Sequence, residues 1–242
     1  MKQLEMTQVA RAAVLPGPES HLGLRSWARE LASLAMVTVR PPPYATRDLP
    51  RGHGRTVLLM PGFLAGDWTM FRLRQFLESL DYRVEHAGIA FNPGPTAGTI
   101  ARLDATLLRL SAGAGPIDLV GQSLGGVFAR EMARRHADRV RSVVTLCTPI
   151  HFPVTTPLAL FAHIFAPFHD PAWAARSAEL ARPLPVPITA IYSRDDGIVD
   201  WRQCLQEEAP GCRSVRVSGA HSTVGSNPEA QIAVAMALGT TL

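Results

Sequence analysis

The chain is poor in cysteine, with three in 242 residues, at positions 147, 204 and 212. That is too few for a disulfide-stapled scaffold, so stability has to come from an apolar core. Cys147 closes an apolar run and reads as a buried hydrophobe, while a Cys204–Cys212 bridge stays open as an alternative. Long hydrophobic runs are missing too. Leu31 to Val39 is only nine residues long, well short of the ~18 that span a bilayer. It reads as part of a packed helix, with monotopic membrane contact the one membrane role left open. The first residues carry Arg11 and two acidic residues without an uninterrupted apolar core, so they do not read as a signal peptide, and the expected location is cytoplasmic. Nor is charge of one sign concentrated anywhere. The net charge is +4, and the arginines are scattered, among them Arg72, Arg74, Arg130, Arg134, Arg135 and Arg139. Such spacing predicts solvated helix faces and no nucleic-acid partner. There is no repeat and no low-complexity tract.

What is present is an ordinary globular composition, 47% hydrophobic and 18% charged. A chain of this length buries about 70–75% of its unfolded surface. Residues 1–54 read as a Pro-rich lead-in with a packed helix near Ser26 to Met36 that stops before Pro41-Pro42-Pro43. From 55 to 242, strands and helices alternate. Strands are expected at Thr56–Met60, Tyr82–Ala87, Ile117–Val120, Val140–Leu146, Val186–Tyr192 and Ser214–Val217. Asp67 should cap a helix whose buried stripe is Trp68, Phe71, Phe76, Leu77 and Leu80, and Thr96 should cap another. The expected fold class is α/β, with a doubly wound, mostly parallel sheet. One stretch, 150–186, has no strand signal but many large apolar residues, including Phe152, Phe161, Phe165 and Trp173. It is expected to be a helical cap inserted after the strand that follows the helix bearing Val127, Phe128 and Met132, although extra core helices would have the same composition.

The run Ile117–Val120 leads directly into Gly121-Gln122-Ser123-Leu124-Gly125, which opens a helical pattern. Gly-x-Ser-x-Gly between strand and helix is a nucleophile elbow: small flanking residues allow a tight turn that lifts the serine hydroxyl off the sheet edge. A serine hydroxyl needs a base, the base needs an acid, and the oxyanion needs preorganised donors. His221, just beyond the last strand in Gly219-Ala220-His221, is the expected base. The loop after the penultimate strand offers Asp195, Asp196 and Asp200. Asp196 is the expected acid, because Gly197 allows a sharp turn and Ile198-Val199 can return to the core. Asp200 is expected to cap a short helix at Trp201. The oxyanion donors are expected to be the backbone amides of Leu124 and of Phe63, in the loop Pro61-Gly62-Phe63. Phe63, Phe152, Phe161 and Phe165 are the expected substrate-binding side chains. No metal or organic cofactor is expected, since His151, His163, His169 and Asp170 lack a metal-ligand spacing.

Oxyanion loop, Ser, Asp and His, in that order and each at a strand's carboxyl end, resemble the α/β-hydrolases of the bacterial esterase/lipase kind from about residue 55 onward. Pro61-Gly62 stands where family members often carry His-Gly. The resemblance implies eight mostly parallel strands, a cap after the sixth, and Ser123, Asp196 and His221 as a triad. It implies a serine carboxylic-ester hydrolase acting on a small-molecule or lipid ester. Thioesterase, amidase, lactonase and perhydrolase chemistry fit the same triad, and a catalytically silent binding module is the alternative outside enzymes.

Overall fold

Strand β2 (Thr56–Met60) has every residue buried, as a strand covered on both faces must. Its side chains alternate between two cores, Val57 and Leu59 entering one and Leu58 and Met60 the other. The computed structural model describes residues 13–14, 22, 28–30, 32–33, 47–151, 154–173, 176, 179–207 and 209–240. Six parallel strands form one sheet in the order β3 (Arg83–His86), β2, β4 (Ile117–Gln122), β5 (Val140–Leu146), β7 (Ile188–Ser193) and β8 (Cys212–Val217). Helices α1 (Phe71–Ser79) and α5 (Pro228–Gly239) cover the Val57/Leu59 face. Helices α2 (Ala97–Ala114) and α3 (Leu124–Arg135) cover the other, so the sheet is doubly wound. Each fully buried Leu, Val or Phe adds about 1.5–3 kcal/mol. The described sheet holds six strands rather than eight; residues 47–55 run as turns, with the Gly52 N–H bonded to the Leu80 carbonyl.

Thr96 caps α2 by accepting from the Thr99 N–H, and Asp200 caps the short 3-10 helix Trp201–Cys204. The segment after β2 departs from expectation. Residues Asp67–Met70 form a 3-10 turn before α1, and Asp67 accepts from the Ile89 N–H at 2.8 Å instead of capping. A 3-10 turn has three residues per turn, so it shifts the phase of the apolar stripe. Trp68 and Phe71 end up 74% and 55% exposed, while Met70, Leu73, Phe76 and Leu77 are buried. Arg130 also departs from the solvated reading. It is fully buried on α3 and donates to the carbonyls of Leu180 and Arg182 and to Gln206. Burial foremost, then the Arg134 charge, pushes its guanidinium down to about 9.

Those Arg130 bonds pin the return of the 150–186 excursion, which leaves from the carboxyl end of β5. Trp173 and Leu180 join the α2/α3 core, with Trp173 edge-on to Phe128, so part of the excursion does complete the core. Its other part holds strand β6 (Val154–Thr155), which pairs with β1 (Ala13–Val14), and helix α4 (Ala159–Phe165). His169 and Asp170 fix it to the loop before α2, bonding the carbonyls of Pro93 and Pro95. All three cysteines are free thiols, so Cys204 and Cys212 are not bridged. Among the described residues no helix is long and apolar enough to cross a membrane.

The joint between β2, β4 and α3 is a contact of backbone on backbone. A Cβ on Gly125 would lie 2.1 Å from the Met60 carbonyl oxygen, and one on Gly121 would lie 2.3 Å from the Gly125 carbonyl. Gly125→Ala should therefore cost about 1–3 kcal/mol or more, read as a lower denaturant midpoint in equilibrium unfolding.

Candidate active site

Strand β4 ends at Gln122, and the chain turns at Ser123 with φ 52° and ψ −123° before α3 begins at Leu124. A non-glycine residue in this region stores about 1–3 kcal/mol of backbone strain. Bonds on either side hold it. The Ser123 N–H continues the ladder to the Leu146 carbonyl at 2.8 Å, and the Ser123 carbonyl accepts from the Gly126 N–H at 2.9 Å. The residue remains partly exposed at the carboxyl edge of the sheet, and among the described residues its hydroxyl makes no hydrogen bond.

Asp196 and His221 meet two strands away. Asp196 lies in the loop after β7, buried, with Oδ1 accepting from the Ile198 and Val199 N–H groups at 2.8 Å each. Oδ2 is 2.7 Å from His221 Nδ1, which places the proton of that bond on Nδ1 and leaves Nε2 for other partners. Asp195, by contrast, is turned outward, pairing with Arg29 at 3.3 Å. His221 opens a 3-10 helix, His221–Ser226, beyond β8. The Ser193 hydroxyl donates to the Gly219 carbonyl at 2.6 Å and so ties the two loops together. The elbow joins them through Gln122, whose Nε2 donates to the His221 carbonyl at 2.9 Å. Burial alone would lower the His221 pKa; the Asp196 charge and hydrogen bond, with the Glu30 charge, outweigh it and hold it above the ordinary histidine value.

The Gly62 backbone approaches the elbow so closely that a Cβ there would sit 3.2 Å from Ser123 Cβ. Phe63 follows, partly exposed, and among the described residues its N–H has no hydrogen-bond partner. The Leu124 N–H belongs to the first turn of α3, where amides lack an intrahelical carbonyl. Asn92 clamps this loop from β3's side. Its N–H donates to Ala65 O, its carbonyl accepts from Leu64 N, and its side chain donates to Pro61 O. Asn92 reads in sequence only as a turn residue before Pro93; its complete burial is the part no local pattern reveals.

Of the four expected substrate-binding phenylalanines, Phe63 and Phe165 meet edge to face with ring centroids 5.9 Å apart. Phe165 also contacts Phe91, again at 5.9 Å, a partner missed in the sequence. Phe161 lies one turn earlier on α4, exposed, and Phe152 lies outside the described residues. The histidines at 151, 163 and 169 do not converge with Asp170. His151 bonds Leu205 O, His169 bonds Pro93 O, and Asp170 pairs with Arg176. The His, Cys, Asp and Glu atoms that lie close enough together to hold an ion, among the described residues, are those of Cys147, Asp196 and His221. There Nδ1 and Oδ2 are committed to each other, and burial foremost, then the Asp196 charge, keeps the Cys147 thiol protonated. A cavity of about 550 Å³ opens at the opposite, amino edge of the sheet, near Ser142, Thr189 and Arg213. Among the described residues no His, Asp or Glu lines it, so its hydroxyls have no base there.

A sequence family described as alpha/beta hydrolase fold matches residues 56–163. The structure is similar to a lipase-esterase related protein from Clostridium acetobutylicum, with a TM-score of 0.59 at 16% identity, covering 80% of this chain and 98% of that one. A monoacylglycerol lipase from Paleococcus ferrophilus matches with a TM-score of 0.56 at 15% identity, over 80% and 96%. A putative non-heme bromoperoxidase from Mycobacterium tuberculosis matches with 0.55 at 17%, over 79% and 94%.

The Asp196–His221 pair makes a prediction that needs no substrate. By NMR titration, His221 should ionise above the ordinary value of about 6.5. In Asp196→Asn the favourable charge is lost while burial remains, so the value should fall below that of the native protein.

Proposed function

This chain has the α/β-hydrolase fold, and on that premise we propose that it is a serine hydrolase that cleaves carboxylic esters through an acyl-enzyme. The observation that carries the reading is the buried Asp196–His221 pair, tied by Gln122 to a strained, partly exposed Ser123. His221 Nε2 takes the Ser123 proton as Oγ bonds to the ester carbonyl carbon. The hydroxyl has to close on Nε2 for this, a contact that commonly tightens only when substrate is bound. The backbone amides of Phe63 and Leu124 are the proposed oxyanion donors. Collapse of the tetrahedral species breaks the bond to the leaving alkoxide oxygen, which takes the proton from the imidazolium. Water, deprotonated by the same nitrogen, then attacks the acyl carbon, and the acid leaves as Oγ recovers its proton. Asp196 holds the tautomer and offsets the charge of the imidazolium. These steps call on no metal or organic cofactor.

The acyl group is assigned to the apolar wall made by Phe63, Phe91 and Phe165, with α4, which carries Phe161, as its cap. An apolar wall of this kind, with Phe91 half exposed, favours medium-length acyl chains over acetyl groups. Carboxylesterase or lipase is therefore the leading assignment, on a small-molecule or lipid ester. We place the activity in the cytoplasm, where three free thiols are stable.

Ser123→Ala should lower nitrophenyl-ester hydrolysis by more than about 10³-fold without altering the unfolding transition, and should abolish the mass adduct that a fluorophosphonate leaves on the native protein. An unlabelled native serine would reject the assignment and favour a binding module. Asp196→Asn should cost about 10⁴-fold in kcat, whereas Asp195→Asn and Asp200→Asn should stay within about threefold, as substitutions that touch no reacting group do. The kcat/KM profile should fall with decreasing pH as His221 gains its proton, at a midpoint above about 6.5. Across an ester chain-length panel, Phe165→Ala should raise KM most for medium-length acyl chains and least for acetate; a uniform change would move the acyl site elsewhere.

A further inference from the structure

Glu30 is the least expected residue near this site. It is carried by the N-terminal helical segment (residues 28–30 and 32–33) yet is only 2% exposed. Its Oε1 accepts from the Gly197 N–H at 2.9 Å and from the His221 N–H at 2.7 Å; Oε2 accepts from the Ser222 N–H at 2.9 Å. Gly197 directly follows Asp196, and His221 is the imidazole-bearing residue itself. One carboxylate oxygen thus bridges the loop of the acid to the loop of the base. We propose that Glu30 is a positioning residue of the active site, a clamp that holds Asp196 and His221 in their paired arrangement and makes the N-terminal segment part of the hydrolase machinery. The proposal rests on the serine-hydrolase reading above.

Energetics separate this role from that of an ordinary strut. Removing a carboxylate from water costs several kcal/mol, and three charge-assisted bonds to backbone amides are what make the burial tolerable. An apolar residue would pin a helix to the same place without that cost. What the carboxylate alone adds is directional acceptance of amides from two separate loops, and a fixed negative charge beside the imidazole. The second charge acts with that of Asp196 in favouring imidazolium, the form present while the tetrahedral species exists.

Other groups around the imidazole do not duplicate this. Asp196 accepts on Nδ1, and the Cys147 thiol lies against Asp196 from the end of β5. Asp195 takes the Gly219 N–H at 3.4 Å and pairs with exposed Arg29. Glu229 of α5 takes the Ser218 N–H and hydroxyl, with Arg216 near it, and Arg194 stacks on Trp201. None of these bridges the acid and base loops at Gly197 and His221.

The test uses the full chain and three substitutions, Glu30→Gln, Glu30→Ala and, as a control, Arg29→Ala on the same helical turn. Glu30→Gln keeps the volume and one acceptor, but loses the charge and turns an N–H₂ toward an amide donor. Rates are taken per active site, counted by the fluorophosphonate mass adduct, so that an unfolded fraction does not enter them. Glu30→Gln should lower kcat about 10–100-fold with KM within about threefold, and should move the acid limb of kcat/KM to lower pH. Glu30→Ala should be slower still, and Arg29→Ala unchanged. If Glu30→Gln matches the native rate per site and its acid limb does not move, Glu30 is only a strut and the proposal is overturned. Where neither Glu30 variant folds, hydrogen exchange of the native protein decides. The Gly197, His221 and Ser222 amides should be protected like sheet amides, and exchange at exposed-loop rates would overturn the clamp. A native protein that takes no phosphonate adduct sinks the hydrolase reading instead, and that outcome is distinct from either result on Glu30.

Discussion

Two missing side chains set the geometry of the turn after β4. Because Gly121 and Gly125 present only backbone, α3 starts in contact with the end of β2, and the turn between β4 and α3 has room for no other path. Ser123 is forced into a left-handed conformation and projects from the sheet edge as a result. The same compression draws the Gly62 loop over the serine, so nucleophile and proposed oxyanion donors come from one packing contact. The parallel sheet adds the remaining requirement. All six strands end on the same side, so loops that are distant in sequence open onto one edge.

Electrostatics at that edge are governed by carboxylates that water hardly reaches. Asp196 and Glu30 are both buried, and their carboxylates accept from N–H groups of the loops after β7 and β8. An imidazole in such a place would be stripped of its charge by burial if it stood alone. Here two negative groups oppose that tendency. In the proposed mechanism this suits a cation that comes and goes within each turnover, on an imidazole too enclosed to be solvated.

Much of this was legible in the sequence, for reasons that can be traced to particular residues. Strands such as Thr56–Met60 and Val140–Leu146 read correctly because a strand buried on both faces needs a largely apolar run, which few other elements of that length have. That the loops of Asp196 and His221 would meet was readable from position, since parallel strands deliver their loops to one edge. The failures share a cause as well. Trp68 and Phe71 were placed in the core because a 3-10 turn has no signature that separates it from the start of an α-helix. Arg130 was placed in solvent because arginine usually is; only the carbonyls of Leu180 and Arg182 reveal otherwise. Glu30 and Asn92 act through partners far along the chain or through burial, and neither leaves a periodic trace. Local pattern reports which face of an element is apolar, not which polar group will meet a distant amide.

The contacts of Glu30 also bear on when the protein becomes competent. Its three amide partners lie 167, 191 and 192 residues farther along. During synthesis this carboxylate is made well before the amides it bonds, and it stays hydrated until they follow. Loops of that span close late, after local helices and neighbouring strands have formed. A nascent chain without β8 and the turn beyond it lacks the proposed base and two of the three amides that offset the cost of burying Glu30, those of His221 and Ser222. The proposed site is therefore complete only once segments 191 and 192 residues apart have closed on each other.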